Sequence, residues 1–92
     1  MDTQLDEAIE VITEKDKKYV IVLYNDDVNT FDHVIDCLVK ICKHQVLQAE
    51  QCANIVHFNG KCQVNDGPLE EMKIQCTALL NEQLSAKVED KN

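Results

Sequence analysis

Ninety-two residues suffice for one domain with a single core, and with two Phe, two Tyr and no Trp that core has to be assembled from Val, Ile, Leu, Ala and Cys. The 17 acidic against 9 basic residues leave a net charge of -8, which repels a phosphate backbone and sets nucleic-acid binding aside. No apolar run approaches the ~20 residues needed to cross a bilayer, so no membrane association is expected. The five cysteines, an odd number with no CxxC pair, and an N-terminus without signal-peptide character argue against a disulfide framework and for the cytoplasm.

Residues 1–18 are charge-rich and read as a flexible acidic tail, and the patch Ile9, Val11 and Ile12 has neither cap nor continuation. Tyr19 to Tyr24 is β-branched and aromatic and stops at Asn25-Asp26-Asp27, which predicts a buried strand ending in a loop. Phe31, Val34, Ile35, Leu38, Ile41 and Cys42 recur at threes and fours, the spacing of one helix face, with Asn29 as the expected N-cap. A second helix is expected over Leu47 to Phe58, where Ala49, Cys52, Ala53 and Val56 share a face and Asn59-Gly60 supplies a left-handed end.

Lys61 to Val64 is a brief strand candidate, and Asn65-Asp66-Gly67-Pro68 reads as a turn that sets Pro68 at the first position of a third helix. That helix carries Leu69, Met72, Cys76, Leu79 and Leu80 at helical spacing, with Glu70 and Glu71 in its first turn. A last strand is expected over Leu84 to Val88, and 90–92 are expected to fray together with Glu89 at the strand end. The order β-α-α-β-α-β predicts an α+β sandwich, a three-stranded sheet with three helices on one face, in one domain over 19–89.

Two features could carry chemistry. Asn25-Asp26-Asp27 places an amide and two carboxylates at a strand end, yet adjacent carboxylates in a turn point apart and make a poor acid/base pair. His57 falls in the last turn of the second helix, where a helix cap and a ligand donor are both open to it. His33 and His44 fall at exposed or terminal helix positions. No two Cys or His have CxxC or HxxxH spacing, so no metal is expected and the cysteines read as small core hydrophobes. A small hydrolase using Asp26, Asp27 and His57 lacks a nucleophile and an oxyanion loop, and no phosphate loop is available with only Gly60 and Gly67.

The stretch Tyr24-Asn25-Asp26-Asp27 with Asn29-Thr30-Phe31-Asp32-His33-Val34-Ile35-Asp36, followed at a distance by Gln51 to Lys61 with its Val-His-x-x-Gly-Lys ending, resembles the ClpS adaptors. The resemblance runs from about residue 18 to 89. It implies a non-catalytic adaptor, without cofactor, that binds proteins with a bulky hydrophobic first residue (Leu, Phe, Tyr or Trp) and delivers them to a Clp AAA+ ATPase of the ClpA or ClpC type through that ATPase's N-terminal domain.

By the same resemblance, Asn25, Asp26 and His57 hold the α-amino group, and Phe31, Val34, Ala53, Val56 and Leu84 line the side-chain pocket. Asp27, Asn29 and Thr30 support the loop, and Lys73 contacts the ATPase. An ammonium group needs acceptors of the Asn and Asp kind, and charge-assisted bonds contribute roughly 1.5–3 kcal/mol each. Several relatives carry Met at the positions of Phe31 and Ala53, and Pro68 stands where an acidic contact residue is usual. The opposed expectation is a fold relative that binds another protein and no N-terminal amine, with Asn25-Asp26-Asp27 a plain turn.

Overall fold

The computed structural model describes residues 18–91, so the expected N-terminal tail lies outside the described residues. The elements are β1 (Tyr19–Tyr24), α1 (Phe31–Ile41), α2 (Val46–Asn59), β2 (Lys61–Gly67), α3 (Leu69–Asn81) and β3 (Ser85–Asp90). All three strands pair antiparallel in the order β2-β1-β3, so the most apolar strand is central and both edges are more polar. The fold is the expected α+β sandwich.

Alternation along β1 assigns the faces. Ile21 and Leu23 join one core with Leu38 of α1, Ala49 and Val56 of α2, and Met72, Cys76 and Leu79 of α3, which places the helices on one side of the sheet. Tyr24, of the opposite parity, reaches back along the other face, donating its hydroxyl to Glu89 while Lys87 lies 5.9 Å from its ring centroid. Cys37, Cys42 and Cys76 are buried and Cys52 and Cys62 half-buried, all as free thiols; they fill space as small hydrophobes do.

Several local expectations are corrected. The N-cap of α1 is Thr30, whose hydroxyl accepts from the His33 amide at 3.1 Å, because the Asn29 side chain is engaged elsewhere. Asn65, Asp66 and Gly67 are not a turn: they pair with Ile21, Val20 and Tyr19, since the full length of β1 offers backbone groups that must be satisfied. Between Ile21↔Asn65 and Val22↔Gln63 the register slips by one, leaving Val64 as the extra residue of a β-bulge. Pro68 consequently becomes the N-cap of α3 rather than its first helical residue.

At the other edge Glu89 and Asp90 do not fray; they continue β3 opposite Val20 and Tyr19. Lys91 extends the tie by donating its ammonium to Asp66 at 2.6 Å. His44 is also not exposed. Lys43 takes a left-handed φ of 62°, which lets the His44 amide turn back to the Leu38 carbonyl at 3.2 Å and sends the buried ring inward, where Nε2 donates to the Val64 carbonyl at the bulge.

Candidate functional site

A concave site of about 430 Å³ opens where the end of β1, the start of α1 and the last turns of α2 converge, within the roughly 300–1,000 Å³ of ligand sites. Asn25, Asp26, Asp27, Asn29 and His57 are its polar lining, and Phe31, Val34, Ala53 and Val56 its apolar one. Ala53 and Val56 are nearly inaccessible and make the floor, whereas Phe31 is 42% exposed and stands at the rim. Leu84 lies behind: it lines a second void of about 30 Å³ that shares Asn25, Asp26, Asn29, Val34 and Val56 with the main site.

Two backbone devices assemble the polar side. Gly60 closes α2 in the left-handed region at φ 95°, where its amide donates to the Val56 carbonyl at 2.9 Å. Its own carbonyl is thereby turned to the Asn25 amide, again at 2.9 Å, and this fastens the end of β1 to the helix turn that carries His57. His57 is exposed, its ring edge-on to Phe58 at 4.8 Å.

Asp26 organises the loop. One carboxylate oxygen accepts from the backbone amides of Val28 and Asn29, both at 3.0 Å, and the Asn29 side-chain amide reaches both oxygens at 3.1 and 2.9 Å. Burial by itself raises the Asp26 pKa, but the bonds from Asn29, Val28 and the Ser85 hydroxyl outweigh it and hold the carboxyl below its ordinary value. Asn29 also donates to the Gln83 carbonyl at 2.8 Å, which the left-handed Gln83 backbone presents at the end of α3. Asp27 is exposed at the rim, and Thr30 serves α1 as its cap without lining the cavity. Lys73 is exposed on α3 and does not line the site.

Sequence reasoning overlooked Gln83 and Ser85. Each meets the loop across more than fifty residues of chain, and neither stands in a motif that points to it. Chemically the site offers acceptors and a negative charge beside an apolar recess. Among the described residues, no Ser, Cys, Thr or Lys lines it.

The family described as "ATP-dependent Clp protease adaptor protein ClpS" matches residues 14–88, and the ClpS adapter protein of Synechocystis is 37% identical over 68 residues, covering 73% of this chain and 69% of its own. The chain belongs to the ClpS family. The ClpS adapter of Campylobacter jejuni is 36% identical over 80 residues, 80% of this chain and 83% of the relative. Among solved structures, Agrobacterium tumefaciens ClpS2 bound to L-phenylalaninamide superposes with a TM-score of 0.74, covering 82% of this chain and 98% of that one; at 20% identity it supports the fold.

Proteins of the ClpS family are adaptors of the Clp protease and not catalysts. No helix among the described residues is long and apolar enough to cross a membrane.

Proposed function

We propose that this ClpS adaptor captures proteins by a bulky hydrophobic N-terminal residue, Leu, Phe, Tyr or Trp, and delivers them to a Clp AAA+ ATPase of the ClpA or ClpC type. The observation that carries the reading is the meeting of acceptor groups and an apolar recess in one cavity. A free α-amino group needs both charge and acceptors, which Asn25, Asp26 and His57 supply, and the attached side chain needs the recess between Phe31, Val34, Ala53 and Val56.

The conjunction gives the specificity. Burying a Leu or Phe side chain contributes about 1.5–3 kcal/mol, and ammonium bonds contribute a comparable amount each, while association itself costs at least about 4 kcal/mol. Tight capture therefore draws on both halves together. Asp26 acts from within its own hydrogen-bond set, fixing the loop and adding negative potential beneath the amine, and Asn25 and His57, exposed at the rim, make the direct contacts. Leu84 acts from behind by supporting Val34 and Val56. Asp27, Asn29 and Thr30 hold the loop and the start of α1.

Hand-over requires a separate surface, and the exposed Lys73 on α3 is assigned to the ATPase N-terminal domain. The test of capture is fluorescence anisotropy with a labelled Leu-first peptide, its N-acetylated twin and a Glu-first peptide. Binding of the free Leu-first peptide alone supports the reading. Equal binding of all three, or of none, refutes it.

A further inference from the structure

We propose that His33, Cys37 and Glu82 form a zinc(II) site that joins α1 to the end of α3. His33 and Cys37 are four apart on α1 and so share one face, and Glu82 is the C-cap residue of α3 directly opposite. One ligand atom from each of the three lies within 4.8 Å of the others.

The pair on α1 has the dimensions of a metal chelate. Zinc bonds of about 2.0–2.1 Å to imidazole and about 2.3 Å to thiolate at a tetrahedral angle set nitrogen and sulfur roughly 3.6 Å apart. His33 Nε2 and Cys37 Sγ are 3.6 Å apart. Glu82 is exposed and free to swing its carboxylate the remaining distance, and the solvent side leaves a fourth position for water. Imidazole, thiolate and carboxylate together select zinc over magnesium or calcium.

On binding, the Cys37 S–H bond breaks, sulfur bonds zinc and the proton passes to solvent. His33 Nε2, which lies 2.9 Å from the Glu82 carbonyl, exchanges that bond for the metal, its ring proton residing on Nδ1.

The ion would stiffen the turn on which the peptide site leans, since Gln83 follows Glu82 and its carbonyl holds Asn29, which grips Asp26. The proposal does not depend on what the cavity binds.

The test is titration of the reduced full-length protein with cobalt(II) as a spectroscopic stand-in, followed by zinc. The expected result is one cobalt per chain with tetrahedral ligand-field bands and a thiolate-to-cobalt charge-transfer band, all erased by one equivalent of zinc. Cys37→Val, which keeps an apolar side chain in the core, should lose the charge-transfer band. Glu82→Gln, at an exposed helix end that does not threaten folding, should weaken cobalt binding at least tenfold. Absence of the band at millimolar cobalt, its persistence in folded Cys37→Val, or unchanged affinity in Glu82→Gln overturns the site.

Discussion

The amide of Asn25 donates to the carbonyl of Gly60 at 2.9 Å, so the last residue before the acidic loop and the residue that ends α2 are held as neighbours although 35 positions separate them. This single bond aligns the two motifs on which the proposed amine site depends, and it forms only because Gly60 is left-handed at φ 95°.

Gly60→Ala tests that geometry. An added Cβ meets nothing within 4 Å, so its cost is the conformation alone, about 1–2 kcal/mol for an L-residue in the left-handed region. Urea denaturation should show this loss. If the variant relaxes instead by shifting φ, Asn25 and His57 separate and peptide affinity falls while stability is spared. A variant unchanged in both would contradict the role given to the bond.

Asn25→Ala and His57→Ala remove exposed groups and should leave the melting temperature within a degree or two of the parent. Each should weaken Leu-first peptide binding by tenfold or more, the equivalent of one charge-assisted hydrogen bond of roughly 1.5–3 kcal/mol. Binding that survives both substitutions would remove these residues from the amine site.

Asp26 supplies a pH signature. Its folded pKa lies below the ordinary carboxylate value of 3.8, so the folded state favours the ionised form. The stabilisation is complete above the unfolded pKa and is lost as pH falls through the folded one. Asp26→Asn should therefore be less stable than the parent at neutral pH and should flatten the acid limb of its stability profile. Parallel acid limbs in parent and variant would show that the carboxylate does not hold the loop.

Ala53→Met places a longer side chain on the cavity floor. Overfilling of this kind costs typically 1–3 kcal/mol, and the loss should fall most heavily on the largest occupants. Tyr-first and Phe-first peptides are expected to lose about tenfold or more relative to Leu-first ones in competition anisotropy. A uniform loss would place Ala53 outside the side-chain recess.

Lys73→Glu reverses a charge on α3 away from the cavity. Peptide affinity should be unaltered, whereas affinity for the isolated N-terminal domain of the Clp ATPase should drop at least tenfold, as measured by calorimetry. Normal docking of the variant would exclude the contact.

Much of this was legible in the sequence because periodicity reports burial. The run Tyr19–Tyr24 and the three- and four-residue spacings of the helices marked each element within a few residues, and the left-handed end at Gly60 was visible as Asn59-Gly60. The errors arose where a distant partner overrode a local preference. Asn65 to Gly67 are turn formers by composition, yet they extend because β1 needs a full-length edge partner and the bulge at Val64 absorbs the odd residue. Asn29 is a better N-cap by type than Thr30 in most chains, yet its Nδ2 donates to Asp26 and Gln83 and ties the side chain to the loop, while the Thr30 hydroxyl accepts from His33.

The sequence by itself determined the order of elements, the faces that build the core and the motifs that mark a ClpS adaptor, because these depend on spacing between near neighbours. Only the tertiary structure decided that Leu84 stands behind the cavity, that His44 turns inward and that His33, Cys37 and Glu82 converge. These are meetings between segments 20 to 59 residues apart, and chain pattern carries no record of them until the sheet pairs and the helices pack.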